Sequence, residues 1–299
     1  MDLRTVLVAL LVMAPVVGAL LCAMLRSTTL RSAVVLSTGF VLALAALLIV
    51  PLTPFKLSGG SLFGIDLNRV IPVGDFLLLI VVVFYGLKHR HVAIIALGLF
   101  QVLMLLVLEF FLAEAIPAFQ RITCDQLAVM MVLIISIVGS IICYQAIPYM
   151  EEHERHYRPA RSRQPRFFSV MLIFLGAMNG LVLFNDLTFI YFFFEATTLC
   201  SFLLIGHDRT TIATRNALRA LWMNSAGGAV FILGIVAAYH ATGTLELRQF
   251  LAASGPAGSG GYLLALALLC VAAFIKSAQF PFQSWLLGAM VAPTPVSAL

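Results

Sequence analysis

Charge is the scarcest commodity in this chain. Only 10% of its 299 residues are Asp, Glu, Lys or Arg, against about a quarter in an ordinary soluble domain. With 62% hydrophobic residues and a mean hydropathy of +1.07, that scarcity excludes a water-soluble fold and predicts an all-α polytopic membrane protein. Cysteine is equally thin. Cys22, Cys124, Cys143, Cys200 and Cys270 stand singly. No C-x-x-C or C-x-x-C-H spacing occurs, so no zinc, iron–sulfur or haem site is expected, and each cysteine reads as a small buried hydrophobe. Concentrated basic sequence is lacking too. The net charge of +5 is spread over short loops between apolar runs, where membrane topology places it, and does not point to nucleic acid. Neither a soluble domain nor a low-complexity tail is discernible. The first apolar run has no A-x-A-like end and is one of many, so it reads as a permanent first helix, not a cleaved signal.

What is present is a series of runs long enough to span a bilayer, which takes about 20 apolar residues. Nine meet or approach that length, near Val6–Leu25, Ser32–Leu52, Val70–Leu87, Val92–Leu112, Leu127–Ile147, Phe167–Phe184, Leu187–Ile205, Leu218–His240 and Tyr262–Ala278. The third is the weakest, because Asp75 lies near its start. The sequence ends at Leu299 in what looks like the opening of a tenth. Loops after the odd-numbered runs hold twelve Lys and Arg residues and those on the other side hold five. This bias places the odd-helix ends in the cytoplasm and the N-terminus outside, in an inner-membrane orientation. The mixed-charge stretch Glu151–Arg166, with Pro159 and Pro165, reads as a solvated cytoplasmic loop that anchors topology, or as a docking surface for a soluble partner. The glycine-rich stretch Leu251–Gly261 reads as an outside loop.

Against this background a few polar residues stand out. Lys276 lies in an apolar run and is followed five residues later by Pro281. A charge at bilayer depth costs at least ~2.5 kcal/mol on insertion scales, and a proline removes a backbone donor and breaks the helix. A cation beside a broken helix is how ion-transporting proteins are built; snorkelling to an interface is the plainer alternative. Glu195, flanked by Phe192–Phe194, is its opposite in sign. Burial disfavours the charged form of either group, which suits a relay that holds and releases a proton. A structural carboxyl bonded to a neighbouring helix is the alternative. Asn224 and Ser225, beside Gly227 and Gly228, either let helices approach closely or form a polar step in a proton path. His240, at the outer end of its run, and His207, with Asp208 in an inner loop, are candidate ends of that path, though interfacial and loop positions account for them as well. Asp186 and Asp125 read as helix caps, and Glu109 as an interfacial residue.

The run from Lys276 to Leu286 (KSAQFPFQSWL), followed by Ala289-Met290 and by Ala292 to Leu299 (APTPVSAL), resembles the signature of the antiporter-like subunits of respiratory complex I and its relatives. Those relatives are the membrane-bound energy-converting hydrogenases and the multisubunit cation/proton antiporters. The stretch from Phe194-Glu195 to Leu199–Gly206 is similar to the family's glutamate helix, and Gly243-Thr244-Leu245 also fits. The resemblance covers roughly Asp125 to Leu299. It divides the chain into weakly matched N-terminal helices, 1–120, and the first part of a proton-translocating core, 121–299.

The resemblance implies a fold of about fourteen helices, with two inverted five-helix repeats and a broken helix in each. This sequence would hold the first of the two, and family members continue into a second repeat. It implies that Glu195 and Lys276 form the ion pair that drives proton translocation, with Asn224, Ser225, His240 and His207 on the possible path and Pro281 at the helix break. It implies no cofactor in this chain. Its partners would be other membrane subunits and a peripheral redox arm with flavin and iron–sulfur or nickel–iron subunits. The uncharged interior of Leu218–His240, and its Asn224–Gly228 stretch, look most like the hydrogenase branch. The expected function is therefore proton translocation in a complex I-like oxidoreductase. A sodium/proton antiporter subunit or a structural anchor for a redox arm are the alternatives.

Overall fold

The computed structural model describes residues 2–57, 61–62, 65–112, 122–157, 162–253 and 260–299. Among the described residues, eight helices are long and apolar enough to cross a membrane. They are α1 (Leu3–Met24), α2 (Thr28–Ile49), α3 (Leu67–Lys88), α4 (Val92–Leu112), a continuous helix built of α5 (Gln126–Leu133), a π turn (Ile134–Val138) and α6 (Gly139–Tyr157), then α7 (Gln164–Leu183), α8 (Leu187–Ile205) and α9 (Thr211–Thr242). The short α10 (Leu247–Ala252) precedes α11 (Gly260–Lys276), the ninth expected span. At 17 residues it is shorter than the rest. Two further short helices follow, α12 (Ser284–Ala289) and α13 (Thr294–Ala298). The all-α polytopic fold is thus as the composition requires.

Three boundaries differ from expectation for a common reason: a helix need not be apolar once it leaves the hydrocarbon. Helix α9 starts at Thr211, seven residues before the apolar run, where Thr210 caps it by accepting from the Ala213 N–H at 3.1 Å. Its 32 residues span about 48 Å at 1.5 Å per residue, beyond the ~30 Å hydrocarbon core. Helix α6 likewise runs on to Tyr157, so Glu151–Arg166 is not one solvated loop. Its first seven residues are helical, Pro165 sits in the first turn of α7, where its missing N–H costs nothing, and residues 158–161 lie outside the described residues. Of Leu251–Gly261, residues 254–259 lie outside them as well.

Among the described residues, packing divides the interior into three apolar clusters. One lies mainly among α1, α2, the α5–α6 helix and α7, a second among α3, α4, α8, α9 and α11, and a third among α3, α4, α8, α9 and α12. Helix α8 contributes to all three, through Phe189 and Phe193 to the first, Tyr191 and Phe194 to the second and Phe202 and Ile205 to the third. It therefore runs through the middle of the bundle.

One end of the bundle is stitched by short antiparallel strands. β1 (Phe55–Leu57) pairs with β4 (Ile122–Cys124), setting Phe55 opposite Cys124, while β2 (Ser61–Leu62) and β3 (Ile65–Asp66) pair with each other. Single bridges join Ile122 to Phe184 and Asp186 to Glu246. Asp125 caps α5 there, accepting from the Ala128 N–H at 2.7 Å, and pairs with Arg248. The Ala128 N–H, with the Arg248 guanidinium, holds the Asp125 carboxyl below its ordinary value. Asp125→Ala is expected to lower stability by about 1 kcal/mol, the usual worth of a cap, read as a fall in melting temperature. Because the folded carboxyl is the stronger acid, its contribution is present above about pH 3.8 and is lost as pH falls through the lowered value. Asp186 caps α8, accepting from the Thr188 N–H at 2.9 Å, as expected of both residues.

The other end carries the arginine-rich connections. Arg31 donates to Gln164 at 2.7 Å, and Arg163 donates to the carbonyls of His207 at 3.3 Å and Asp208 at 3.0 Å. The connections α1–α2, α6–α7 and α8–α9 therefore meet at one end, as the alternation of charge along the sequence requires.

Candidate functional site

Helix α11 stops at Lys276, and its backbone shows why. Ala278 adopts a left-handed conformation, φ 53°. The Gln279 N–H then reaches back to the Phe274 carbonyl at 2.9 Å and the Ala278 N–H to the Ile275 carbonyl at 3.2 Å. These two bonds form a Schellman cap. Such a cap is usually built on glycine, and an alanine in this conformation costs on the order of 1 kcal/mol. The break is where the sequence places it, but Pro281 is not what ends the helix; it lies three residues beyond the cap and prevents the helix from resuming. The chain re-enters helix at α12, whose Trp285 donates from its indole N–H to the Ile275 carbonyl at 2.9 Å, tying the two halves together.

The Lys276 side chain turns inward. Its ammonium donates to the Phe194 carbonyl at 2.9 Å and the Thr198 hydroxyl at 2.8 Å, and sits 4.5 Å from the centroid of the Phe194 ring. A cation in the last turn of a helix also faces the negative end of that helix's dipole. The Phe194 carbonyl accepts from Thr197 Oγ1 and Thr198 Oγ1 as well, at 2.8 and 3.0 Å. Three donors converge on one oxygen, immediately before Glu195. Snorkelling does not describe this lysine.

Glu195 is fully buried at the middle of α8. Its Oε1 accepts from Gln101 Nε2 of α4 at 3.0 Å, and the same amide donates to the Ser225 carbonyl of α9 at 3.0 Å. The carboxylate needs the glycine at 228: a Cβ there would lie 1.8 Å from Glu195 Oε1 and 2.2 Å from Gln101 Nε2. Glu195 and Lys276 address the same turn of α8, but no hydrogen bond or ion pair joins them. Each instead has its own polar partner.

Several buried polar atoms around them have no hydrogen-bond partner: Glu195 Oε2, Gln101 Oε1, Asn224 Oδ1, Ser225 Oγ and Tyr191 Oη, together with Asp75 Oδ1 on α3. Buried polar groups are ordinarily satisfied, so this concentration marks a polar centre within an apolar bundle. The Asn224 amide N–H donates back to its own helix, to the Ala220 carbonyl at 2.9 Å.

The two histidines are not brought to this centre. His240 is exposed near the end of α9, twelve residues from Gly228, or about 18 Å along the helix. His207 follows α8, twelve residues from Glu195, packed against the Phe167 ring at 5.0 Å and near His153. Burial, opposed only in part by Asp208, pushes the His207 imidazole down to about 4, so it is neutral at pH 7. Asp208 itself is held by His153 at 2.9 Å.

Gln101, Thr198 and Gly228 are participants that sequence reasoning missed or placed only as packing. Gln101 was detectable as the lone amide in a 21-residue helix whose only other polar side chain is Glu109, near its end. Asp75, which weakened the third span as a sequence, is buried in α3 at 2% exposure.

With this geometry in hand, comparisons with known proteins locate the chain. The family profile described as "NADH:quinone oxidoreductase/Mrp antiporter, TM" matches residues 185–299. That described as "NADH-Ubiquinone oxidoreductase (complex I), chain 5 N-terminus" matches residues 120–168. The chain is 35% identical over 176 residues to a putative antiporter subunit mnhA2 of Staphylococcus haemolyticus, covering 58% of this chain and 21% of that one. It is 40% identical over 149 residues to a probable K(+)/H(+) antiporter subunit of Rhizobium meliloti, covering 49% and 15%. It is 38% identical over 182 residues to the chloroplastic NAD(P)H-quinone oxidoreductase subunit 5 of Ranunculus macranthus, covering 58% and 24%. The fold matches a chain of the archaeal membrane-bound sulfane sulfur reductase, with a TM-score of 0.67 at 15% identity over 97% of this chain and 49% of that one. The chain thus spans a quarter or less of the curated relatives named and about half of the solved one.

Proposed function

Because the chain belongs to the antiporter-like membrane subunits of the complex I and Mrp antiporter superfamily, we propose that it translocates protons as a membrane subunit of a complex I-like oxidoreductase, with Glu195 and Lys276 as the proton-carrying groups. The observation that carries this reading is the inward-turned ammonium of Lys276 on the Phe194 carbonyl, one residue from the buried Glu195 carboxyl. Two ionisable groups of opposite sign, Glu195 on α8 and Lys276 of α11 held against the same turn, feel each other's charge strongly in a medium of low dielectric. Loading one with a proton changes the cost of loading the other. A charge displaced at Glu195 would thereby load or empty Lys276.

The unpartnered atoms of Asn224, Ser225 and Tyr191 offer steps for a proton beside Glu195. His207 and His240 would serve as the outer stages, His207 as a transient carrier because it is neutral at pH 7. The partners this reading implies are other membrane subunits and a peripheral redox arm with flavin and iron–sulfur or nickel–iron centres, in the inner membrane with the N-terminus outside. The chain itself would hold no redox cofactor.

A cation/proton antiporter subunit is the second reading, favoured by the names of relatives at 35% and 40% identity. Proteoliposomes holding the complete native assembly separate the two. Acidification driven by an electron donor, with no cation gradient, supports the first; exchange driven by a sodium or potassium gradient, with no donor, supports the second. Glu195→Gln keeps the size and the bond to Gln101 while removing the titratable group. It is expected to reduce proton movement at least tenfold under either drive, while electron transfer or assembly persists. Wild-type proton movement by this variant would refute the role of Glu195.

A further inference from the structure

The arginine-rich end of the bundle holds two adjoining recesses, of about 230 and 510 Å³, that share Arg209 and Thr214. Lys88 and Arg166 also line the first, and Arg215 and Arg219 the second. Among the described residues, no acidic side chain lines either one. The nearest acid in sequence, Asp208, is occupied by His153. Some basic side chains elsewhere in the fold have partners, Arg31 in Gln164, Arg163 in two carbonyls and Arg248 in Asp125. The side chains of Arg166, Arg209, Arg215 and Arg219 make no hydrogen bond or ion pair with a described residue. Lys88 lies only against the Tyr85 ring, 5.8 Å from its centroid. Five cations therefore line these recesses with no counter-ion among the described residues, a field that favours an anion among them.

Three further observations point the same way. Arg209 is held in a left-handed conformation, φ 56°, a strain that persists where the surroundings impose it and that concentrates at ligand sites. Helix α9 begins at this rim, with Thr211 on the wall, so its free N–H groups and positive dipole end add to the cationic field. His91 Nδ1, on a residue lining the second recess, is buried without a partner.

Apolar side chains share the lining: Phe202 and Leu203 in the first recess, Leu218 and the partly exposed Trp222 in the second. Basic and apolar side chains lining one recess, at the end of membrane-crossing helices, match a molecule with an anionic head and a hydrocarbon tail.

We propose that this paired recess binds the phosphate of an anionic phospholipid headgroup, with Arg209 shared between its two halves and the acyl chain lying along Leu218 and Trp222. A phosphate group is the shared chemistry, and its source is either a lipid or inorganic phosphate in solution. Wall contact at Trp222 favours the lipid. The site is separate from the Glu195 and Lys276 centre, and stands or falls without it.

The chain has two tryptophans, Trp222 and Trp285, and only the first lines the recess. The intact protein in phosphatidylcholine nanodiscs is therefore supplemented, at equal mole fractions, with brominated phosphatidylglycerol or brominated phosphatidylcholine, and tryptophan quenching is measured with and without inorganic phosphate. The anionic lipid is expected to quench several-fold more strongly, the difference to vanish in Trp222→Phe, and excess inorganic phosphate to leave it unchanged. Arg209→Gln with Arg215→Gln should weaken the anionic preference roughly thirtyfold, the loss expected for two near-surface cations. Equal quenching of the unmodified protein by both lipids overturns the proposal without recourse to any variant. Displacement by inorganic phosphate overturns the lipid source and assigns the recess to a soluble phosphate.

Discussion

Lys276→Ala is expected to reduce proton movement to background while the protein still folds and joins its partners. The expectation of intact folding comes from what the substitution leaves behind. Truncating one member of a buried ion pair strands the other charge, which typically costs about 3–5 kcal/mol. Here Lys276 is not bonded to Glu195. Its partners are a carbonyl and a hydroxyl, and Thr198 Oγ1 keeps its own bond to the Phe194 carbonyl at 3.0 Å when the ammonium is gone. The Glu195 carboxyl keeps its bond from Gln101. Glu195 loses the neighbouring positive charge, but burial favours its neutral form, so it can be held as a protonated carboxyl still bonded to Gln101, and removing a desolvated cation relieves a cost. Transport should be lost because no other titratable side chain in the described structure bonds to the Phe194 carbonyl on that turn. The measurement is donor- or gradient-driven proton uptake in proteoliposomes, paired with the melting temperature and subunit content of the same preparation. Undiminished uptake with normal subunit content would remove Lys276 from the mechanism. Lost uptake with lost assembly would make the lysine a structural tie.

How much of this was readable beforehand depended on the energy at stake in each residue. Glu195 and Lys276 are conspicuous because a charge in an apolar run is expensive, and that expense is independent of what surrounds it. Pro281 marked the neighbourhood of the helix break, since a proline cannot lie in a helix interior at no cost, but the left-handed cap at Ala278 that ends α11 has no such mark in the sequence. Their partners are cheap residues. A threonine such as Thr198 bonds to its own helix anywhere, and an amide such as Gln101 carries no charge to betray it. The role of Gly228 exists only once α4, α8 and α9 are side by side. The extensions of α6 to Tyr157 and of α9 back to Thr211 escaped an apolar-run reading because they leave the apolar region; the Thr210 cap was their legible mark. The π turn at Ile134–Val138, where Ser136 meets Asn179 of α7 at 3.2 Å, has no local signal at all. The expected direct bond between Glu195 and Lys276 is absent for a related reason: each has a neutral partner of its own, Gln101 of α4 for Glu195 and the Phe194 carbonyl and Thr198 of α8 for Lys276, a matter of side-chain direction that sequence spacing does not contain.

Gly228→Ala is expected to disable the site without touching an ionisable group. A methyl group at this position would arrive 1.8 Å from Glu195 Oε1 and 2.2 Å from Gln101 Nε2, well inside contact distance for both. The two side chains cannot both retreat and remain bonded, because the Gln101 amide is also held by the Ser225 carbonyl at 3.0 Å. The carboxyl must swing away from its only hydrogen-bond donor, and the turn of α8 facing Lys276 loses the arrangement on which exchange of charge depends. Alanine is favoured over glycine in a helix by about 0.8–1.0 kcal/mol, so the backbone gains part of what the collision costs and the protein should still assemble. Proton movement should fall at least tenfold, comparable to Glu195→Gln. Gly227→Ala is the control: its methyl would meet Ile275 Cγ2 at 3.1 Å and Phe194 Cζ at 3.3 Å, contacts that a few tenths of an ångström relieve, and its transport should stay within about twofold of wild type. Equal loss in both variants would mean that helix packing, not the placement of the carboxyl, is what glycine serves here. Full activity in Gly228→Ala would mean that Glu195 works from more than one position, and that its bond to Gln101 is incidental to transport.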